Sequence, residues 1–198
     1  LSVVYPSLWL GASYAWNQQE ETQKHLAFQL NHFVFKDETG NTAKAVLKLG
    51  DAYLKTNIPN GNASAFHLML RRYKWSMNGH YQTKHLTIGA LENAEQEIKD
   101  ALTILEKARP QAADSTIIRQ ELVQAANLAI HGIHLGIARL KAPKQATNKI
   151  KKDTKEELIA ELTQLVATHK ELWIIRNRKG GLQLSSAKLE DLLEYYQK

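Results

Sequence analysis

The stretch from position 114 to position 140, DSTIIRQELVQAANLAIHGIHLGIARL, decides the fold class. Its apolar residues recur every three or four positions, which is the spacing of one face of an α-helix. The residues of this face are Ile118, Leu122, Ala125, Ala129, Ile133, Ile137 and Leu140. Because no proline interrupts the stretch, the pattern predicts one long amphipathic helix.

The stretches on either side have the same periodicity. One runs from Lys84 to Ala108, before Pro110, and the other runs from Thr154 to Ile175. Thr154 followed three residues later by Glu157 is typical of a capping box, so this helix is predicted to begin at Thr154. Three long helical patterns joined by short loops predict antiparallel packing in a bundle.

Shorter helical patterns cover much of the remaining chain. They predict a helix after Pro6 and four others, at 20–35, 42–55, 63–72 and from Ser185 or Ser186 to Tyr196. A glycine at 180 or 181 is expected in the left-handed conformation that often follows a helix. With no convincing strand pattern, we expect an all-α bundle of about six to eight helices, in a single domain over residues 1–198.

Composition limits the classes of protein to which the chain can belong. Of its 198 residues, 43% are hydrophobic and 23% are charged, as in soluble globular domains. The absence of cysteine excludes disulfides and thiolate metal sites and favours a cytoplasmic location. No apolar run is long enough for a membrane span, so we expect no membrane partner. Leu1 is not a start methionine and no signal-peptide pattern follows it, so we expect a longer parent chain.

The positive charge is concentrated between two of the long helical patterns. The net charge is +6, and the lysines of the 141–155 stretch account for much of the excess: Lys141, Lys144, Lys149, Lys151, Lys152 and Lys155. A nucleic-acid site is one interpretation of such a stretch. Because no aromatic residue lies among these lysines to stack on bases, a solvated basic linker is the preferred interpretation, and we expect no nucleic-acid partner.

The chain has few patterns typical of catalysis or metal binding. No serine lies in a Gly-x-Ser-x-Gly turn, and there is no cysteine nucleophile. His131 and His134 lie three residues apart on a predicted helix, but the Glu-x-x-His spacing of di-iron bundles is absent. A partly buried polar pair is the preferred interpretation. We therefore predict no catalytic residue, no metal and no cofactor in this chain.

Two aromatic clusters are the remaining candidate sites. The first comprises Trp9, Tyr14 and Trp16 with the adjacent Asn17, and the second comprises Trp173 with Arg176, Asn177 and Arg178. Aromatic faces beside amide and guanidinium groups suit either a domain interface or the rim of a sugar pocket. An interface is preferred, and the 1–17 segment is expected to dock on a larger neighbour because it is apolar on nearly all sides.

Several segments resemble the helical C-terminal domain in one branch of glycoside hydrolase family 20, the exo-acting β-N-acetylhexosaminidases. They are residues 2–17, residues 30–35, residues 39–53 and residues 172–182, the last followed by Ser185 or Ser186 and Leu189. Lys179 stands where the family often has proline. The resemblance covers both ends of the chain, whereas the middle is similar only in helical character.

The resemblance implies a parent enzyme with a (β/α)8 catalytic barrel before Leu1. Such enzymes use the substrate's own acetamido group as nucleophile, with an Asp-Glu pair that no residues here match. The chain itself is then expected to be a non-catalytic accessory domain that covers one side of the barrel, supports a homodimer, or shapes one rim of the sugar pocket. Two alternatives stay open: an independent helical protein-interaction module and, less favoured, a basic nucleic-acid-binding domain.

Overall fold

A computed structural model describes residues 2–16, 24–58 and 63–198. Within these ranges the chain is all-α, with no strand, which confirms the predicted class. The described α-helices are α1 (Tyr5–Trp16), α2 (Leu26–Gln29), α3 (Asn41–Asp51), α4 (Ala65–Arg71), α5 (Ile88–Glu106), α6 (Ser115–Lys141), α7 (Lys152–Arg176) and α8 (Leu182–Gln197). Helices α5, α6 and α7 are the three long helices that the periodicity predicts.

The chain divides into two compact units. Unit 1 contains residues 1–52 and 96–126, and unit 2 contains residues 53–95 and 127–198. The long helices α5 and α6 each contribute one part to unit 1 and the other part to unit 2.

Unit 1 has its hydrophobic core around α2, α3 and the unit-1 parts of α5 and α6. The buried core residues are Leu26, Leu30, Phe35, Ala43, Ala45, Val46, Leu105, Ala108, Ile118 and Leu122. Helix α2 continues into a π-helical turn, Leu30–Phe35, which ends at Lys36 in the left-handed conformation. The reversal places Asp37 beneath the start of α3, where it receives hydrogen bonds from residues 39, 42 and 109.

Unit 2 is built from α4, α7, α8 and the unit-2 parts of α5 and α6. Its most deeply buried side chains include Met69, Met77, Leu91, Ile133, Leu135, Leu162 and Tyr196. Helices α7 and α8 pack extensively on each other. The 141–155 stretch contains two 3-10 turns, Pro143–Gln145 and Thr147–Lys149, and buries Thr147 and Ile150 while its lysines at 141, 144 and 149 stay exposed.

The signals predicted for the ends of α7 and the start of α8 are wrong. Helix α7 begins at Lys152, so Thr154 lies inside the first turn and does not cap it. Helix α8 begins at Leu182 after the 3-10 turn Lys179–Gly181, so Ser185 and Ser186 are internal. Gly40 is the positive-φ glycine among the described residues, so neither Gly180 nor Gly181 is left-handed. Helices α7 and α8 begin without a side-chain cap, and α7 ends at the extended residue Asn177 rather than at a left-handed glycine.

Candidate functional site

Helix α1 exposes most of its apolar surface. None of its twelve residues is buried. Leu8 is 61% exposed and Trp16 is 94% exposed, and Tyr14 is also exposed. Leu8 and Trp16, eight residues apart, lie on one side of the helix, and we call these two side chains the α1 face. Large apolar side chains exposed on one side of a helix are typical of an interface, so the α1 face is a candidate interface.

Two aromatic side chains in the first half of α1 attach the helix to unit 1. The Trp9 ring stacks on Phe33 with 5.7 Å between centroids, and its indole N–H donates to Gln29 Oε1 over 2.9 Å. Tyr5 lies against the buried ring of Phe35. Trp9 therefore anchors α1, whereas Tyr14 and Trp16, in the second half of the helix, stay exposed. Asn17, the fourth residue predicted for this cluster, lies outside the described residues.

The second predicted cluster lies in unit 2, at the end of α7. Trp173 packs over Gly181, and its indole N–H donates to the Arg178 carbonyl over 3.3 Å. The Asn177 amide and side chain both donate to the Trp173 carbonyl, which closes the helix end. Arg178 and Asn177 are exposed, and Arg176 is partly exposed. The Trp173 ring is thus used to fold the α7–α8 connection, and the polar groups beside it face outward.

The structure also forms a polar cluster that the sequence analysis did not predict. His131 is fully buried, and its Nδ1 donates to Glu161 Oε2 over 2.6 Å while its Nε2 lies 3.2 Å from the Tyr196 hydroxyl. His134 has a carboxylate at each ring nitrogen: Glu161 Oε1 is 3.1 Å from Nδ1 and Glu95 Oε1 is 3.3 Å from Nε2. Because carboxylates only accept hydrogen bonds, this geometry favours a protonated His134.

Burial and hydrogen bonding act in opposite directions on these groups. Burial alone would raise the pKa of Glu161, but the hydrogen bonds from His131 and His134 outweigh it and lower the pKa to about 2. The hydrogen bond to Glu161 raises the pKa of His134 above 6.5, against the effect of burial. Burial raises the pKa of Tyr196, so its hydroxyl stays protonated. Glu161 and His134 therefore form an ion pair of a carboxylate and an imidazolium.

The chemistry of this cluster fits a structural role in packing α6 against α7. In the part of the chain that is described, no group of three or more His, Asp or Glu residues is arranged to hold a metal ion. His131 and His134, the polar pair predicted from sequence, form one half of this network, and Glu95 and Glu161 form the other half. A signal for the other half was present: Glu95 and Glu161 each interrupt an otherwise apolar helix face, where a carboxylate must find a partner.

Replacing Glu161 by Gln should destabilise the protein by about 1–2 kcal/mol at pH 6, because buried His131 keeps only part of its hydrogen bonding. The pH dependence should change as well. The raised pKa of His134 adds stability below pH 6.5 that is lost as the pH rises through its folded value. The wild-type advantage over Glu161→Gln, measured by urea unfolding, should therefore shrink above pH 6.5.

The matched control is Glu157→Gln, one turn earlier on α7 and exposed. It should leave both the stability and its pH dependence nearly unchanged. Burial lowers the pKa values of His67 and His169, so these two residues change the stability with pH in the sense opposite to His134. Their contribution is the same in wild type and variant and cancels in the difference between the two. A constant difference between pH 6 and pH 9 would contradict the assignment of charge to His134.

Comparisons with known proteins add no assignment. No protein-family model, curated protein or solved structure matches the chain. Among the described residues, no helix combines the length and the apolar character that crossing a membrane requires.

Proposed function

We propose that the chain is a non-catalytic helical accessory domain of a family 20 glycoside hydrolase, a β-N-acetylhexosaminidase. In this proposal it packs on a (β/α)8 catalytic barrel of the same polypeptide through the α1 face. The observation that carries the proposal is α1 itself, which has an apolar sequence and no buried residue. The apolar side chains that α1 leaves exposed gain stability when a partner covers them.

The attachment of α1 supports this role. Trp9 and Tyr5 hold the first half of the helix to unit 1, while Trp16 at its end stays exposed. Trp16 contributes a large apolar surface that is almost entirely uncovered. Interfaces are enriched in such rigid aromatic side chains, because they bury much area while losing few rotamers. The resemblance to family 20 at residues 2–17 supports the choice of a barrel as the partner.

The parent reading frame tests the proposal directly. The sequence encoded upstream of Leu1 is expected to specify a (β/α)8 barrel with an adjacent Asp-Glu pair. The purified chain should not hydrolyse p-nitrophenyl N-acetyl-β-glucosaminide, whereas the parent chain should. Hydrolysis by the chain alone, or an upstream sequence without a barrel, would overturn the proposal. An independent interaction module is the alternative that the second outcome would favour.

An uncovered α1 face should also cause the purified chain to self-associate. Sedimentation velocity of the wild type is expected to show a concentration-dependent dimer or higher species, because exposed apolar patches pair with each other. The double substitution Leu8→Ser and Trp16→Ser should shift the distribution to monomer, and both side chains are exposed enough to be replaced without loss of folding. Leu184→Ser, which changes an 83% exposed leucine in unit 2, should leave the association unchanged.

A further inference from the structure

Unit 2 contains a cavity of about 580 Å³ between the end of α4, the segment that follows it and α8. Its walls include Arg71 and Arg72 from the end of α4, Lys74 and Trp75 from the following segment, and Lys188 from α8. The volume falls in the range of small-molecule sites in proteins. The cavity contains none of the residues predicted from sequence.

The cations of this cavity are poorly neutralised. Lys188 lies 3.6 Å from Asp191, which is the single carboxylate in the cavity wall. Arg71, Arg72 and Lys74 form no ion pair with a carboxylate anywhere in residues 2–16, 24–58 and 63–198. Three positive charges around a concave surface focus a positive potential into it, which raises the local concentration of anions.

Aromatic rings take the place of carboxylates beside two of these cations. The Arg72 guanidinium lies over the Trp75 ring, 4.1 Å from its centroid. The Lys74 ammonium lies 5.5 Å from the Tyr73 ring and 5.6 Å from the Tyr195 ring. Cation–π contacts orient the cations without cancelling their charge, so their N–H donors stay free for an anion. Trp75 is still 55% exposed and can pack against a ring of the ligand.

We propose that this cavity binds a small ligand that carries an anionic oxygen group, a sulfate, phosphate or carboxylate, on a sugar or nucleoside ring. Arg71 and Arg72 receive the anionic group, since a guanidinium presents paired donors that match such oxygens. Trp75 receives the ring. The proposal is independent of the proposed function, because it rests on residues of unit 2 and does not involve α1.

Calorimetric titration of the whole chain tests the site with two charged ligands. N-acetylglucosamine 6-sulfate represents an anionic sugar and adenosine 5′-monophosphate represents a nucleotide, while N-acetylglucosamine and adenosine are the uncharged controls. At least one charged ligand should bind, and its uncharged parent should bind at least tenfold more weakly. The ligand that binds identifies the source of the anion. If neither charged ligand binds, or if the uncharged parents bind equally well, the proposal is overturned.

Substitutions locate the binding in the cavity. Arg71→Gln removes an exposed side chain without an ion-pair partner, so the variant should fold normally and bind the ligand about tenfold more weakly. Lys141→Gln, which removes an equally exposed cation at the end of α6, is the matched control and should bind as the wild type does. If Arg71→Gln and Lys141→Gln weaken ligand binding equally, the site is overturned. The site is also overturned if an oligonucleotide binds more tightly than the small ligands and both substitutions weaken that binding equally, because this would indicate a diffuse polyanion surface.

His67, which also lines the cavity, gives a readout that needs no variant. Burial and the charge of Arg71 lower the pKa of His67 below 6.5, and Arg72, Lys74, Lys188 and Asp191 are the other charged groups in the wall. A bound anion offsets the positive charge, so the ligand should raise the pKa of His67 in a nuclear magnetic resonance titration of its ring protons. An unchanged or lower pKa in the saturated protein would contradict binding in this cavity.

Discussion

Replacing Gly132 by Ala is expected to lower the free energy of unfolding by about 2–3 kcal/mol, although alanine is the better helix former. Gly132 lies in α6 directly against the backbone of α4. A Cβ atom at this position would lie 2.5 Å from the Phe66 carbonyl oxygen and 3.1 Å from its carbonyl carbon. Because backbone atoms cannot move aside by changing rotamer, α4 and α6 must separate, and the packing between them is lost.

Alanine substitutions at two further glycines should have progressively smaller effects on stability. A Cβ at Gly136, one turn later, would meet the Leu91 side chain at 3.1 Å, which can adjust, so Gly136→Ala should cost less. A Cβ at Gly50 in α3 meets nothing within 4 Å, so Gly50→Ala should be neutral or stabilising by up to about 1 kcal/mol. Urea unfolding of the three variants measures the order, and a Gly132→Ala protein as stable as Gly50→Ala would contradict the close approach.

Replacing Asp37 by Ala should cost about 3 kcal/mol, because one buried carboxylate organises the start of α3. Asp37 Oδ1 accepts from the Thr39 amide and hydroxyl and from the Arg109 amide. Asp37 Oδ2 accepts from the Thr42 amide and hydroxyl over 2.8 and 2.6 Å. Thr42 is fully buried, so water cannot replace the lost acceptor. Glu38→Gln, at the next and exposed position, is the control and should have little effect.

The Asp37 carboxylate also makes the stability of unit 1 depend on pH in the acid range. Burial alone would raise the pKa of Asp37, but the hydrogen bonds from Thr39 and Thr42 outweigh it and lower the pKa below 3.8. Its contribution is therefore complete above pH 3.8 and is lost as the pH falls through the folded value. The stability difference between the wild type and Asp37→Asn should shrink below pH 3.8 in chemical unfolding. A difference that grows in acid would contradict the hydrogen-bond assignment.

The long helices could be predicted from sequence because their apolar periodicity repeats over many turns. The ends of these helices could not be, since α7 and α8 start without the serine or threonine cap that the local pattern suggested. The sequence prediction treated Trp9 and Trp16 alike, whereas in the structure Trp9 anchors α1 and Trp16 is exposed. Trp9 and Trp16 lie seven residues apart on the same side of α1, so sequence spacing alone does not reveal how far along the helix the core extends.

The sequence by itself determined the all-α class, the positions of the three long helices and the apolar character of α1. Only the tertiary structure decided which polar residues meet. It brings Glu161 to His131 and His134 across two helices, and it gathers the cations of α4 and α8 around one cavity. The physical reason is one of range. Helical periodicity depends on neighbours three and four residues apart, whereas these contacts join residues that become neighbours only when separate helices pack together.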